Sequence, residues 1–504
     1  MHSIEMTTST GGRHICGREN IMAKTYGNFI NGEWTSSASK KTFPNFNPAR
    51  TSEVVSEFQD SSAADAAAAV GAAEQAFGAW SKLLPPKRAD FLRKSADILA
   101  RRRDEAAEIL TKEEGKNIGE ARGEVDRSVG LLRFYAGQWA GLSGETIPSF
   151  IDGRFLYTLR APLGVVALIS PWNFPSAIPV WKSAPALLCG NTVVLKPSPL
   201  APQSAAIIAE VYAEAGLPPG VFNLVTGGGN EIGEAVVSDK RVRAISFTGS
   251  RETGKAIMRK NADRLIRIAL EMGGKNPMVI MPDADMTRAV EDTVTGAFWA
   301  AGHKCTATSR AIVLEKVYDE FVDKVVARTK GLRVGDGMDP KTEICPIIDE
   351  RQCKKIQDCI AQAKSDGARC LVGGERLSGG IHDQGCYISP AVFVDFKLDS
   401  KFAQDEIFGP VLGVIKVKDL DEAISVANRT EYGLASGICT RDLKAAQEFA
   451  RRSDAGMIHV NSPTAGVELQ APFGGCKDST SGSREMGKSA LDFYSQTKTI
   501  YVDA

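Results

Sequence analysis

The feature that most constrains the fold is an alternation of short apolar runs with helical runs after Gly164. The runs GVVALIS, NTVVLKP, VFNLVTG and RAISFTG are rich in β-branched residues and have the length of buried strands. The segments 186–189, 204–215 and 232–237 near them have helical character. Buried strands that alternate with helices predict a parallel sheet with right-handed crossovers, and hence an α/β fold.

A second series of the same kind begins near Pro277. It contains MVIM, a predicted helix over 286–301, AIVLEKV and a helix over 318–330, followed by the strand-like runs ISPAVFVD, VLGVIKV, ASGICT and MIHVN. Upstream, NFINGEW is typical of extended chain around an Asn-Gly turn, and two helices are predicted over 63–80 and 86–114. A length of 504 residues is consistent with two or three domains.

Charge and composition exclude several functional classes. The 61 basic residues balance 61 acidic ones, so no net field attracts nucleic acid or an anionic membrane. The most apolar stretch, 161–195, is interrupted by prolines, by Asn173 and by Lys182, which favours buried strands and a shaped loop over a membrane span. The basic run Arg101 to Arg103 is interpreted as a solvated helix face.

The cysteine and histidine content points to an intracellular protein without a metal centre. Ten cysteines include no C-x-x-C pair, and five histidines leave little material for a metal site. We expect free thiols, a reducing compartment, a cytoplasmic location and no metal. Residues 1–24 are polar and lack the apolar core of a secretory signal, so they are interpreted as a disordered segment or an extension before a natural start at Met22. Their Ser/Thr content, with Arg13 and Arg18, leaves a transit peptide as the alternative.

Two short segments have the character of a nucleotide site. In SFTGSRETGKAIM, Gly249 and Ser250 separate a strand from a helix, and a helix N-terminus offers free N–H groups to a pyrophosphate. Lys196 ends the strand NTVVLKP, where an open sheet binds its ligands. Each signal alone is weak, because a glycine after a strand is more often a turn and a single lysine is usually solvated.

Cys305 and Glu271 are the candidate reactive residues. Cys305 lies in GHKCTATSR between small residues, although most isolated cysteines are inert core thiols. Glu271 ends a strand-like run before Gly273 and Gly274, where burial could raise its pKa and make it a base. A surface-loop glutamate is the alternative interpretation from the residues alone.

Six motifs together give a more specific indication. PWNFP, FTGS, LEMGGKNP, GHKCTATSR, EIFGPV and APFGG begin at residues 171, 247, 270, 302, 406 and 471. In this order they resemble the motifs of the aldehyde dehydrogenase superfamily, and the resemblance covers the chain from about residue 26. It implies a Rossmann-type cofactor domain, an α/β catalytic domain and a small β oligomerisation arm.

The resemblance also implies the chemistry. Cys305 would attack the aldehyde carbon as a thiolate, and the Asn173 amide with the Cys305 backbone N–H would stabilise the oxyanion. Glu271 would activate the water that hydrolyses the thioester, which favours a free acid over an acyl-CoA product. Lys182 matches a family position near the oxyanion site and receives a supporting role. The other nine cysteines are assigned to packing.

Further site residues are carried over from the family motifs. The residues expected to bind the cofactor are Ser170, Pro171, Trp172, Lys196, Ser198, Pro199, Gly229, Phe247, Gly249, Ser250, Thr253, Met272, Gly273, Glu406 and Phe408. Those expected to contact the substrate are Ile178, Trp181, Trp299, Lys304 and Phe473.

The cofactor preference is interpreted from the segment after Lys196. NAD-selective relatives usually carry a glutamate three residues after this lysine, and here that residue is Pro199. A 2′-phosphate would meet Lys196 and the Ser198 hydroxyl without a carboxylate nearby. NADP is therefore the expected cofactor, with NAD as a second, and Pro199 could also tolerate either one.

The branch of the family is less sharply indicated. The core and the C-terminal motifs look most like α-ketoglutaric semialdehyde (2,5-dioxopentanoate) dehydrogenases. However, Trp299 replaces the arginine that semialdehyde enzymes often carry six residues before the nucleophile, and His303 replaces a glutamine. A broad-specificity, aromatic or aliphatic aldehyde dehydrogenase is thus the alternative, and a non-catalytic protein on the same fold is a third. His303 could titrate near neutrality, although a hydrogen-bonded structural histidine is the preferred interpretation.

The resemblance predicts a domain division and an oligomer. The expected domains are 25–143 with 164–274 for the dinucleotide, 275–486 for catalysis, and 144–163 with 487–504 for the arm. The alternating segment SALDFYSQTKTIYV suits strand addition to a neighbouring subunit. A homodimer or homotetramer that takes a small-molecule aldehyde, without nucleic acid or membrane partners, is expected.

Overall fold

A computed structural model describes residues 24–503, in which two large sheets each form the centre of an α/β unit. The expected N-terminal extension therefore falls, apart from Lys24, outside the described residues. No helix within 24–503 is long and apolar enough to cross a membrane.

The first sheet has eight strands, of which the five in the middle are parallel. Its central strands are buried on both faces, which explains their continuous β-branched runs. In spatial order the strands are Thr480–Ser481, Arg267–Glu271, Val242–Thr248, Val165–Ile169, Thr192–Lys196, Phe222–Leu224, Asn28–Ile30 and Glu33–Thr35. The Asn-Gly turn of NFINGEW connects the last two, as predicted.

Helices cover the first sheet, and two of them differ from the sequence-based expectation. The predicted helix 86–114 is two helices, because the backbone of Arg102 leaves the helical conformation. The Arg102 guanidinium donates hydrogen bonds to the carboxylates of Glu105 and Glu210. The helix expected at 186–189 begins at Ala177, since Pro179 falls in the first turn, where an N–H has no intrahelical partner. The helices are Ala63–Lys82, Pro85–Arg101, Arg103–Glu114, Ile118–Gly137, Ala177–Leu188, Gln203–Glu214, Glu234–Ser238 and Arg251–Asn261.

The second sheet has seven strands, all parallel except at one edge. In spatial order they are Arg369–Val372, Ala391–Val394, Val411–Val417, Thr308–Leu314, Asn276–Ile280, Ala435–Cys439 and Met457–Val460. The helices of this part of the chain are Met286–Phe298, Glu315–Lys330, Glu350–Ser365, Lys401–Gln404, Leu420–Asn428, Leu443–Arg452 and Ser489–Phe493.

Three smaller sheets complete the described chain. One near the N-terminus contains Thr25–Tyr26, Thr42–Asn47 and Arg50–Gln59, and Tyr432–Gly433 pairs with Cys476–Lys477. The third consists of Thr146–Ile147, Arg154–Pro162 and Ser495–Asp503. We call this third sheet the arm sheet.

The segment before Cys305 has an unusual backbone. The helix predicted over 286–301 ends at Phe298, and Ala300, Ala301 and Gly302 all have left-handed φ angles of 53°, 52° and 71°. Left-handed backbone is costly for residues with a Cβ, so surrounding contacts must hold it. One such contact is the Ala300 N–H, which donates to a Glu120 carboxylate oxygen at 3.1 Å.

Candidate active site

A cavity of about 170 Å³ opens at the carboxyl edge of the first sheet. Strands Val242–Thr248 and Arg267–Glu271 are parallel neighbours, so Thr248 and Glu271 end at the same edge. This is the edge at which open α/β sheets bind ligands. The lining residues are Pro171, Trp172, Asn173, Ile178, Trp181, Thr248, Gly249, Ser250, Glu271, Met272, Gly273, Cys305, Gln352, Lys355, Glu406, Phe408 and Phe473. We call this space the inner cavity.

Cys305 lies where the inner cavity meets a second space. The second space, of about 270 Å³, also has Cys305, Trp181 and Phe473 in its wall, and we call it the outer cavity. Burial, Glu406 and Glu271 together raise the pKa of the half-buried Cys305 thiol far above its usual range. The resting residue is therefore a neutral thiol that must lose its proton to react.

Asn173 is positioned on both sides by main-chain contacts. Its side-chain Nδ2 donates to the main-chain carbonyl of His303 at 2.8 Å. The main-chain carbonyl of Asn173 accepts from the buried Lys116 ammonium at 2.7 Å. An amide nitrogen carries two protons, so one remains free to donate. The amide lines the inner cavity together with Cys305.

Glu271 is a buried carboxyl group whose environment disfavours its charge. Burial, followed by the nearby Glu485, raises the pKa of Glu271 well above its usual range, whereas a hydrogen bond from Thr480 opposes the shift. The Thr480 hydroxyl donates to Oε2 at 2.8 Å, while Oε1 has no partner within residues 24–503. A carboxyl group with one free oxygen and a raised pKa is suited to accept a proton from water.

Lys182 lies outside the wall of the inner cavity. Its ammonium is fully buried, donates to the Ser246 hydroxyl at 2.8 Å and forms an ion pair with Glu485. Glu485 also accepts from the Trp181 indole at 2.8 Å. Lys182 does not line any of the cavities described here; its contacts are with Ser246 and with Glu485, which in turn accepts from Trp181.

The backbone after Glu271 has little room for side chains. A Cβ on Gly273 would collide with the Glu406 carboxylate. The Gly274 N–H donates to Glu406 Oε1 at 3.0 Å, and burial raises the pKa of Glu406. Phe408 adopts a left-handed φ of 60° and its carbonyl accepts from the Gln352 amide at 2.8 Å. Glycines here allow the two chain segments to approach each other.

A larger cavity of about 460 Å³ lies beside the same sheet edge. Its wall includes Lys196, Gly229, Phe247 and Thr253, all four expected from the sequence to bind the cofactor. Burial lowers the pKa of Lys196 to about 8, so the ammonium is charged below that pH. Ser250 caps the helix Arg251–Asn261 by accepting from the Thr253 N–H at 3.3 Å.

Three residues expected at the cofactor site are not part of these walls. Ser170, Ser198 and Pro199 do not line the cavities described here within residues 24–503. The Ser198 hydroxyl accepts from the Leu200 N–H at 3.2 Å, and the buried Ser170 hydroxyl has no partner in the described chain.

The expected substrate residues divide between the two cavities. Ile178 lines the inner cavity, Trp299 and Lys304 line the outer one, and Trp181 and Phe473 line both. Lys304 forms an ion pair with Glu120 at 2.9 Å.

The preferred interpretation of His303 as a hydrogen-bonded histidine is wrong. Both ring nitrogens are buried and lack partners within residues 24–503. Burial lowers the pKa of His303 to about 3, so the ring is neutral at physiological pH. It packs edge-on against Trp172 with ring centroids 4.8 Å apart and stacks on Phe408 at 5.9 Å.

The cysteines differ in one respect from the expected free thiols. Cys353 and Cys386 form a disulfide, with Cα atoms 6.4 Å apart. The two residues are 33 positions apart in the sequence, a separation without a motif, and only the fold brings them together. Glu350 lies near both sulfurs, but sulfurs joined to each other are not thiolate ligands for a metal.

Several residues at the cavity were not predicted from the sequence. Thr248, Gln352 and Lys355 line the inner cavity, and Thr480 bonds the carboxylate of Glu271. Thr248 directly follows the FTGS phenylalanine and could have been included. The other three lie in polar segments that resemble ordinary surface until the fold is known.

The residues of the larger cavity fit a dinucleotide. Lys196 is buried without a carboxylate partner in the described chain, and a capped helix N-terminus lies on the same wall as Thr253. A buried cation and free N–H groups are the donors that phosphates require.

Sequence comparison assigns nearly the whole chain to one family. The sequence model of the Aldehyde dehydrogenase family matches residues 34–500. An α-ketoglutaric semialdehyde dehydrogenase of Bacillus subtilis is 44% identical over 478 residues, which cover 95% of this chain and 98% of that relative. A 2,5-dioxopentanoate dehydrogenase of Saccharolobus solfataricus is 43% identical over 466 residues, or 92% of this chain and 96% of that one.

Solved structures agree with the sequence comparison. A betaine aldehyde dehydrogenase from Staphylococcus aureus in complex with NAD+ superimposes with a TM-score of 0.93 at 35% identity, covering 95% of this chain and 94% of that chain. An NAD-dependent aldehyde dehydrogenase from Sinorhizobium meliloti has the same TM-score and identity, with 95% of both chains covered. The expected α/β fold is confirmed, and the chain belongs to the aldehyde dehydrogenase family, whose members are oxidoreductases that act on aldehydes.

Proposed function

We propose that this protein oxidises α-ketoglutaric semialdehyde to α-ketoglutarate, with NADP preferred over NAD. The observation that carries the proposal is the position of Cys305 in the wall shared by the inner and outer cavities, with Glu271 in the wall of the inner one. Two relatives at 43–44% identity are named for this substrate under its two names.

The proposed reaction uses three groups of this chain. The Cys305 thiol first loses its proton to solvent water, and the resulting thiolate attacks the aldehyde carbon. This forms a thiohemiacetal, whose oxyanion accepts hydrogen bonds from the Asn173 amide and the Cys305 N–H. Bound NAD(P)+ supplies the hydride acceptor for the oxidation. The product on Cys305 is a thioester. Glu271 removes a proton from a water molecule, and the resulting hydroxide attacks the thioester and releases the acid and the Cys305 thiolate.

The proposed cofactor residues are those carried over from the family motifs. Lys196 and the wall of the larger cavity would bind the adenosine part, and Glu406 and Phe408 the nicotinamide part. Two carboxylates, Glu234 and Glu252, also line the larger cavity, but each pairs with a cation, Lys260 and Arg251 respectively. This pairing, and Pro199 in place of an acid, support NADP because a 2′-phosphate meets no free carboxylate there.

The arm sheet supports a homo-oligomer, and we propose a dimer or tetramer. Its strands carry exposed apolar side chains, which on a single chain would remain in contact with water. These exposed residues are Phe155, Leu159, Tyr501 and Val502. We also propose the domain division given above, with the arm as the third part.

A kinetic panel tests the substrate and the cofactor. We expect kcat/KM for α-ketoglutaric semialdehyde to exceed that for benzaldehyde, and NADP to give the higher value of the two cofactors, as monitored by the absorbance of the reduced nicotinamide. Preference for benzaldehyde would favour the second candidate, an aromatic aldehyde dehydrogenase, for which Trp181, Trp299 and Phe473 in the outer cavity are the supporting observation. No turnover with any aldehyde would favour a non-catalytic protein.

Two variants separate the proposed chemical steps. Glu271→Gln keeps the nucleophile and removes the base, so we expect one burst of reduced cofactor per site and then very slow turnover. Cys305→Ala removes the nucleophile, so no burst is expected. Sustained turnover by Glu271→Gln at the wild-type rate would contradict the role of the carboxylate.

A further inference from the structure

One face of the helix Ile118–Gly137 forms a wall of the outer cavity. Glu120, Gly123, Glu124 and Arg127 all line it, at the spacing i, i+3, i+4 and i+7 that defines one face of a helix. This face is charged, whereas other residues of the wall, such as Trp299 and Phe473, are aromatic. An aldehyde that reaches Cys305 through the outer cavity therefore meets both charged and aromatic side chains.

Three cations face the outer cavity, and two of them are already paired. Lys116 is buried, forms an ion pair with Glu124 at 2.7 Å and donates to the Asn173 carbonyl at 2.7 Å. Lys304 pairs with Glu120 at 2.9 Å. The charges of these two lysines are thus compensated inside the protein.

Arg127 is different. Its half-buried guanidinium forms no ion pair within residues 24–503, and its one hydrogen bond there runs from Nη1 to the Val467 carbonyl at 2.7 Å. The charges of Glu124 and Glu468 both act on the Arg127 guanidinium, but neither carboxylate forms an ion pair with it within residues 24–503. Glu124 pairs with Lys116 and accepts from two N–H groups of the next helix, and Glu468 accepts from the Gln470 amide at 3.3 Å.

We propose that Arg127 binds the distal carboxylate of the substrate and thereby selects a carboxylated aldehyde. The inference rests on the function proposed above and adds a specificity-determining residue to it. A guanidinium has five N–H donors, and four of them remain for a ligand. The carboxylate and the adjacent keto oxygen of α-ketoglutaric semialdehyde offer the planar set of acceptors that a guanidinium binds in two-point fashion.

This arrangement also accounts for the tryptophan at position 299. Semialdehyde enzymes that carry an arginine there supply the cation from the loop before the nucleophile. Here Trp299 supplies an apolar wall for the methylene groups, and the helix Ile118–Gly137 supplies the cation from another side of the cavity. The charge requirement is met by a residue far from the nucleophile in sequence.

The test compares a charged and an uncharged aldehyde of the same length. For Arg127→Met we expect kcat/KM for α-ketoglutaric semialdehyde to fall about 10- to 100-fold, mainly through KM, because a hydrogen-bonded charge pair is lost. For pentanal we expect a change of less than about threefold. Arg122→Met is the matched control, since Arg122 lies on the same helix, is exposed and pairs with Asp104; it should leave both substrates unchanged.

The outcomes distinguish the two proposals. If the wild-type enzyme prefers the semialdehyde and Arg127→Met keeps that preference, the role of Arg127 is overturned and the proposed function stands. If the wild-type enzyme does not prefer the semialdehyde, the proposed substrate and the role of Arg127 both fail. An equal loss for both aldehydes would identify Arg127 as a purely structural residue, and Arg127→Lys, which keeps the charge, should then show no recovery of the preference.

Discussion

The hydroxyl of Thr480 offers a sharp test of how the protein sets the basicity of Glu271. Its oxygen accepts from the Gly475 N–H at 2.6 Å and lies 2.8 Å from Glu271 Oε2. Because a charged carboxylate can only accept, the Thr480 hydroxyl donates its proton to Glu271. The hydrogen bond therefore stabilises the charged form of Glu271 and lowers a pKa that burial and Glu485 raise.

Thr480→Val removes this donor while it nearly preserves the shape of the side chain. A hydrogen bond to a charged group contributes about 1.5–3 kcal/mol. At 1.36 kcal/mol per pH unit, its loss should move the acidic limb of the deacylation profile upward by about one to two pH units. Below the new midpoint the rate should fall about 10- to 100-fold, and at high pH the variant should approach the wild type.

The assay is the pH dependence of turnover after the burst of reduced cofactor, which isolates hydrolysis of the thioester. Thr480→Ser is the control, since it keeps the hydroxyl and should keep the profile. Loss of the acceptor for the Gly475 N–H can lower the thermal midpoint of Thr480→Val, but it does not change the proton affinity of a carboxylate. An acidic limb that stays in place, or moves to lower pH, would refute the reasoning.

Three further predictions concern the rest of the site. Asn173→Ala should lower kcat/KM about 100- to 1000-fold in steady-state assays, since one oxyanion donor is lost; a loss below tenfold would contradict that role. Pro199→Glu should shift the ratio of kcat/KM values from NADP toward NAD, and an unchanged ratio would argue against the ribose interpretation. Lys182→Met should lower the free energy of unfolding in urea by about 3–5 kcal/mol, because Glu485 loses its cation. The double variant Lys182→Met with Glu485→Leu should recover part of the lost stability. A loss below about 1 kcal/mol for Lys182→Met would contradict the ion pair.

Many residues of the linear motifs line the inner cavity together, for a physical reason. The ends of parallel strands meet at one edge, so the residues after each strand, such as Gly249 and Glu271, converge without knowledge of the distant packing. Main-chain geometry in this region is also set locally by glycines, as at Gly273. The position of a residue can be predicted from the sequence where a short segment fixes its own backbone geometry.

The outer cavity was predicted less completely because its wall comes from a distant helix. Arg127 lies in IGEARGEVDRSVGLL, where a charge is normally solvent-exposed, and only the packed helix shows that it lacks a partner in the described chain. The same limit applies to His303, whose missing hydrogen bonds depend on Trp172 and Phe408. It applies as well to the disulfide between Cys353 and Cys386, because the spacing of these two cysteines matches no known motif.

The contacts of Glu120 link substrate size to reaction rate. This single carboxylate bonds the Ala300 N–H and the Lys304 ammonium, so it joins the left-handed loop before Cys305 to the helix that also carries Arg127. If a bulky aldehyde displaces this helix, we expect the loop to move with it and the Cys305 sulfur to move away from the carbonyl carbon. Oversized substrates should consequently bind and yet react slowly, so that the enzyme discriminates against them through kcat rather than through affinity.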